Sequence, residues 1–429
     1  MSDTNTSSNN DQVKSSNSRS QPQAFSRMDR SFLGAWWWTV DRAMLGSIVT
    51  LLVFGIALVA TSSPAVAQKI GVGDYHFIKK HMIFLIPTLF IIIGGSMLSP
   101  RYVWRLASLM LLGGVVMMVL VLLFGAEEKG ARRWISVLGF SLQPSEFVKP
   151  AFVVVAAWLM ALQEKSVRRL NNFKSDNNKD TTFPGYSIAI SLYAILLILL
   201  LLQPDLGMSV VLTTVFAVQG FIAGLRFRFV VGLCVLGAVG LVLAYYSLDH
   251  ARSRMDRFFN PDIGDNYQVE ASLSAIKKGG IIGVGPGQGV EKMSLPDAHA
   301  DFTFSVLVEE GGIAFAVILM SLFLFILLRG FKRLQDTPDM FSVLAAGGLL
   351  AMFTIQSLVH MGSSVNLLPA KGMTLPFISY GGSSMISMGI AMGMVLALTR
   401  QKGRSSISRS SMTMRRGLNK NSDKSTVNE

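Results

Sequence analysis

Ten apolar runs constrain this chain more than any polar motif: 44–60, 82–98, 102–124, 147–162, 185–202, 207–224, 229–246, 303–328, 341–361 and 383–399. Most approach the ~20 residues that carry a helix across a bilayer. No single soluble core absorbs that much apolar mass. Of the 429 residues, 51% are hydrophobic and only 15% charged, against about 25% charged in an average soluble domain. The runs predict an all-α integral membrane protein: a bundle of ten transmembrane helices with one large extracytoplasmic loop.

The flanks read differently. Residues 1–40 are expected to be a disordered cytoplasmic tail, since residues 1–30 are rich in Ser, Asn, Asp and Gln and lack apolar mass. Trp36, Trp37 and Trp38 suit an interfacial belt. Residues 41–400 form the ten-span domain, and 401–429 a basic cytoplasmic tail. Ala65-Val66-Ala67 resembles a signal-peptidase site, but over forty mostly polar residues precede the first run, so that run is read as an uncleaved span. The single cysteine, Cys234, excludes an internal disulfide framework and a Cys-based zinc site.

Charge sets the orientation. With the N-terminus inside, 25 of the 39 Lys and Arg fall in cytoplasmic segments and 14 outside. Acidic residues divide 11 inside and 15 outside, giving +14 against −1. This is the positive-inside pattern, and an even number of spans returns both termini to the cytoplasm. The expected location is the bacterial cytoplasmic (inner) membrane, multi-pass. The net charge of +13 then follows from topology and calls for no nucleic acid.

Two outer loops, 247–302 and 362–382, stand out for their length and their own polar groups. Ionisable residues avoid the middles of the spans and gather at their outer ends: Arg132, Arg133, Glu146, Lys149, Asp205, Asp301, Glu309, Glu310 and Lys371. A charge at the bilayer centre costs roughly 2.5–3.5 kcal/mol on insertion scales, so these groups should face protein or water. Glu146 and Lys149, three apart, share one helical face. Two readings stay open for Glu146, Lys149 and Asp205: a polar network closing the outer end of the bundle, or the wall of a charged outward cavity. The glycine run from Gly279 to Gly289 lacks the spacing of a dinucleotide fingerprint and reads as a tight loop. His299 and Asp301 lack the companions of a protein-built metal cage, so no metal ligand is assigned. No cofactor is required, though there is room for a divalent cation held jointly with a substrate pyrophosphate.

An outer, water-filled pocket of mixed charge suits a lipid substrate with a charged head. Arg and Lys suit a pyrophosphate, and a carboxylate suits proton abstraction from a hydroxyl. A lipid-pyrophosphate glycosyltransferase would need both.

Five ordered motifs sharpen that class. They are Gly130-Ala131-Arg132-Arg133-Trp134-Ile135, Gln143-Pro144-Ser145-Glu146-Phe147-Val148-Lys149, Gln203-Pro204-Asp205-Leu206-Gly207, Leu295-Pro296-Asp297-Ala298-His299-Ala300-Asp301-Phe302, and Leu368-Pro369-Ala370-Lys371-Gly372 with its continuation Leu375 to Ser384. Together, across residues 40–400, they closely resemble the SEDS family (shape, elongation, division and sporulation). Two positions depart from the family pattern: Ala300, where His-Thr-Asp-Phe is usual, and Asn260 before Pro261, where Asp-Pro is usual.

The resemblance implies a peptidoglycan glycosyltransferase that polymerises lipid II into β-1,4 glycan strands. It also implies a class B penicillin-binding protein and other divisome membrane proteins as partners. Lys371 favours the division type, enriched at the septum, over the elongation type. The family's essential acidic residue falls on Asp301 as the catalytic group. Arg132, Arg133, Glu146, Lys149, Asp205, His299 and Lys371 are the expected substrate-binding residues. Asp301 would be general base on the acceptor hydroxyl, with inversion at the donor anomeric carbon. The bland alternative for Asp301 is a cap on the helix beginning at Phe302. Two other functions stand beside these expectations, a lipid II flippase and a scaffold that only recruits a synthase. A transporter should carry ionisable groups near the midplane, whereas here they sit at one face.

Overall fold

The computed structural model describes residues 32–128, 131–137, 140–172, 182–247, 252–253, 255–256, 267–369 and 372–400. The polar tail to residue 31, the basic tail 401–429, Lys371, and most of 248–266 with Asn260 and Pro261 lie outside the described residues.

The segment Met1–Thr39 is a unit of its own. Its described part is one short helix, α1 (Phe32–Thr39), in which the rings of Trp36 and Trp37 lie 6.0 Å apart. Phe32–Thr39, expected to belong to a disordered tail, is thus helical, because the aromatic run supplies apolar mass.

The second unit is built from α2 (Arg42–Lys69), α3 (His76–Ser96), α4 (Pro100–Phe124), α5 (Pro144–Asn172), α6 (Gly185–Leu202), α7 (Leu206–Ile222), α8 (Phe227–Ser247), α9 (Tyr267–Gly279), α10 (Thr303–Gln335), α11 (Met340–Ser364) and α12 (Gly382–Leu398). Among the described residues, seven helices are long and apolar enough to cross a membrane: α2 to α6, α10 and α11. The chain is a membrane protein. The apolar helices α7, α12 and the first part of α8 are shorter. At 1.5 Å per residue, the 17 residues of α7 rise roughly 26 Å.

Burial separates centre from rim. The apolar windows of α5 and α11 are 83% and 78% buried, those of α3 and α4 only 22%. The rim helices present Phe90, Leu109, Leu112 and Leu123 outward, as lipid contact requires. At one end of the bundle Asp41 caps α2 through the Ala43 and Met44 amides and takes Arg329 Nε at 2.9 Å and Arg333 Nε at 2.5 Å. Burial alone would raise the Asp41 pKa, but hydrogen bonds from Arg333, Met44 and Arg329 outweigh it and hold the carboxyl below its usual value.

The opposite end carries the candidate chemistry and departs from the all-α expectation. Between α4 and α5 the chain forms a small antiparallel sheet, β1 (Ala126–Glu128), β2 (Ala131–Val137) and β3 (Phe140–Leu142), in order β1-β2-β3. Ile135 pairs with Leu142 and Trp134 with Ala126. Within the large loop, α9 buries Ala271, Ser272, Ala275 and Gly279. Ser272 Oγ lies 2.6 Å from Ser305 Oγ and donates to the Ser364 carbonyl at 2.7 Å, fixing α9 to α10 and α11.

The eighth apolar run is not one uninterrupted helix. Gly312 has φ 72 and ψ −178 and breaks α10 near its start. The glycine-rich loop after α9 fills the break. Val284 and Gly285 amides donate to the Glu309 and Glu310 carbonyls, and Ile313 and Ala314 amides donate to the Gly280 and Ile281 carbonyls. The backbone groups freed by the break are thereby paired, as an apolar surrounding demands. A Cβ on Gly312 would stand 2.3 Å from the Ile281 carbonyl oxygen.

Candidate active site

The turn before α10 positions Asp301. Asp297 adopts φ 54, which a short polar side chain tolerates, and its carbonyl accepts the Ala300 and Asp301 amides at 2.9 and 3.0 Å. Helix α10 starts at Thr303 and its cap position falls on Phe302, with no side-chain cap bond. Asp301 therefore does not hold the cap position that its structural alternative required. It is half-buried, and its Oδ2 faces Gly372: a Cβ there would lie only 3.3 Å from that oxygen. Gly372 has φ 58, so a side chain is disfavoured by backbone and by space.

His299 lies in an aromatic box. Its ring is 4.2 Å from Phe77 and 5.1 Å from Tyr380 by centroid, and its carbonyl accepts the Tyr380 amide at 2.8 Å. The imidazole is 5% exposed, with Nδ1 lacking a hydrogen-bond partner among the described residues. Burial lowers its pKa to about 4, with the Asp297 charge opposing weakly. Burial likewise raises the Tyr380 phenol. His299 thus supports the Asp301 turn as a neutral group.

The loop also reaches into the bundle through charge. Lys292, 3% exposed, pairs with Glu310 and donates to the Thr61 carbonyl at 2.9 Å. Glu309 accepts the Glu291 and Lys292 amides at 2.7 and 2.9 Å. These two carboxylates anchor the loop that ends in Asp301.

The remaining candidates form a second group. Arg133, on β2, donates through Nε to the Gln203 carbonyl at 2.8 Å and through Nη2 to the Pro204 carbonyl, with Asp205 Oδ1 at 3.9 Å. Asp205 caps α7 through the Met208 amide and accepts Gln143 Nε2 at 3.2 Å. Arg132, its neighbour on the strand, is exposed. Glu146 and Lys149 share one face of α5, as their spacing required: Lys149 Nζ stands 2.9 Å from Glu146 Oε2, within ion-pair distance though out of line for a hydrogen bond. Both are buried.

A polar path joins the two groups. The Gln143 carbonyl accepts the Glu146 amide. Lys149 donates to Gln356 Oε1 at 3.0 Å, and Gln356 Nε2 donates to the Thr374 carbonyl at 3.2 Å, two residues beyond Gly372. Sequence reasoning missed Gln356, His360 and Lys292. For Gln356 and His360 the available signal was a polar residue in the apolar run 341–361, which in a membrane is expensive and rarely idle. Among the described residues no three His, Cys, Asp or Glu side chains gather to hold a metal.

With this geometry in view, the class is plain. The sequence matches the FtsW/RodA/SpoVE family of cell cycle proteins over residues 42–404, and the chain belongs to that family, in its FtsW-like branch. It is 41% identical over 380 residues to a probable peptidoglycan glycosyltransferase FtsW of Caulobacter vibrioides, covering 88% of this chain and 94% of that one. Among solved structures it resembles a chain from work on structural coordination of polymerization and crosslinking by a peptidoglycan synthase complex. That match has 25% identity and a TM-score of 0.68, covering 86% of this chain and all of the other. The rod shape determining protein RodA of Thermus thermophilus shares the fold, with 24% identity and a TM-score of 0.61 over 85% of this chain and 97% of that one.

Proposed function

We propose that this chain is a division-type peptidoglycan glycosyltransferase, polymerising lipid II at the extracytoplasmic face of the inner membrane. Ten spans carry it, the seven long helices together with α7, α8 and α12, and both termini are cytoplasmic. The observation that carries the reading is the half-buried carboxylate of Asp301, held by the Asp297 turn against Gly372, on a chain 41% identical to a protein described as a glycosyltransferase.

Asp301 takes the proton from the acceptor GlcNAc 4-hydroxyl. That oxygen forms a bond to the donor MurNAc anomeric carbon while the bond to the pyrophosphate breaks, and undecaprenyl pyrophosphate leaves with its electron pair. The α-linked donor gives a β-1,4 product, so one base suffices and no covalent intermediate forms. Arg132, which is exposed, and Lys371 stabilise charge growing on the leaving group. Arg133, Glu146, Lys149 and Asp205 act from behind by holding the wall, since they are paired within the protein. His299 supports the base turn. Any divalent cation is held jointly with the substrate pyrophosphate. A class B penicillin-binding protein is the partner, a reading supported by the likeness to a chain of a peptidoglycan synthase complex, and other divisome membrane proteins assemble around it.

The test is purified protein with its class B partner, given labelled lipid II with no other glycosyltransferase present. Glycan polymer is expected. Movement of lipid II across vesicles without polymer would favour the flippase instead.

A further inference from the structure

Gln356 lies about two turns before the end of α11 with no exposed surface, and it spends both ends of its amide. The oxygen accepts Lys149 Nζ at 3.0 Å, and the nitrogen donates to the Thr374 carbonyl at 3.2 Å. Only this orientation satisfies both neighbours, because an ammonium cannot accept and a carbonyl cannot donate. One helical turn further, His360 Nδ1 sits 2.6 Å from the Met373 carbonyl. Two consecutive carbonyls of the segment after Gly372 are therefore gripped from beneath by one face of α11. The segment is closed from its other side by Thr374 Oγ1, 2.6 Å from Ser384 Oγ on α12.

What this grip controls is the backbone beside the base. Gly372 is adjacent to Met373 and turns its open side toward Asp301 Oδ2. A buried amide left half-satisfied is costly, so the orientation of Gln356 and the placing of the segment depend on each other. Lys149 is in turn fixed by Glu146 at 2.9 Å.

We propose that Gln356, assisted by His360, is a positioning residue for Asp301: it sets the 372–374 backbone against the catalytic carboxylate and ties that backbone to the Glu146–Lys149 pair. The inference rests on the glycosyltransferase reading for its catalytic consequence, but not for the grip itself. Gln356 touches no reacting atom. Small misplacement of a reacting group can lower rates as much as about 100-fold, and an interaction felt only in the transition state lowers kcat without raising KM.

The experiment uses the full chain with its class B partner in nanodiscs, in two arms. Hydrogen exchange is followed across 372–380, and lipid II polymerisation is measured for kcat and KM. Gln356→Leu removes both hydrogen bonds and leaves Lys149 paired with Glu146. Gln356→Glu keeps the size and the Lys149 contact but loses the donor to Thr374, so it decides the matter if the leucine variant does not fold. The expected result for either is exchange several-fold faster across 372–380, with kcat down about tenfold or more and KM within about threefold. Unchanged exchange, unchanged kcat, or a loss confined to KM would overturn the proposal. If wild type makes no polymer, the glycosyltransferase reading fails while the exchange arm still decides whether Gln356 holds the segment.

Discussion

Lys149 Nζ stands 2.9 Å from Glu146 Oε2, one turn along α5, with the two side chains only 2% and 4% exposed. Two charges withdrawn from water stabilise each other only while both are present. Removing one partner of such a pair costs about 3–5 kcal/mol, whereas replacing both is far milder. Lys149→Met should therefore lower the melting temperature in detergent sharply, and Glu146→Leu in the same chain should recover most of the loss. Equal stability of the single variant and wild type would show that the pair is not buried in the working protein.

The two arginines of β2 should separate cleanly. Arg133 is spent on the Gln203 and Pro204 carbonyls and the Asp205 carboxylate, so Arg133→Ala should loosen the join between sheet and α7 and lower both stability and activity. Arg132 is exposed. Arg132→Ala should keep the melting temperature and weaken use of lipid II. Thermal unfolding beside polymer yield at limiting substrate checks both, and the opposite assignment would reverse their roles.

The break in α10 makes a backbone prediction. Gly312 and Gly283 have φ 72 and 87, and a Cβ at either would meet a carbonyl oxygen within 2.3 Å. Strained φ alone costs of order 1–3 kcal/mol. Gly312→Ala and Gly283→Ala should expel the loop from the break and open residues 280–290 to limited proteolysis. Protection equal to wild type would mean that the loop does not plug the helix.

The seven long apolar helices were legible because an apolar run of that length records its own solvation. The sheet was not, since strands as short as Ala126–Glu128 carry almost no period-two signal. Helix α9 was hidden because its buried face is Ala271, Ala275 and Gly279, residues that pack closely without raising hydropathy. The break at Gly312 left the apolar run 303–328 intact to the eye, since only the loop that fills it reveals the gap. In the site, Asp301, Arg133 and Asp205 could be named from ordered motifs, and the three-residue spacing of Glu146 and Lys149 fixed their shared face. Gln356 could not be found, because its meaning depends on contacts 18 and 207 residues away in sequence.

His299 gives the site an acid limit. Its pKa is lowered to about 4 by burial, against about 6.5 for a free imidazole. Between those values the released segment binds more protons than the folded one. Stability from the neutral ring is therefore full above pH ~6.5 and lost as pH falls toward 4, by up to about 3 kcal/mol at about 1.4 kcal/mol per unit. His299→Phe should reduce the drop in melting temperature between pH 7.5 and 5. An identical drop in both proteins would place the acid sensitivity elsewhere.

The central claim is that Asp301 takes the proton. Asparagine keeps its volume and much of its hydrogen bonding but cannot accept that proton, and general base catalysis contributes about 10²–10⁴-fold in rate. The deciding measurement is the lipid II polymerisation rate of Asp301→Asn in complex with the class B partner, alongside its expression and partner binding. The expected result is a rate at least about 100-fold below wild type with insertion and binding intact. An Asn variant that keeps more than about a tenth of the rate, or that loses its fold together with its activity, would contradict the account.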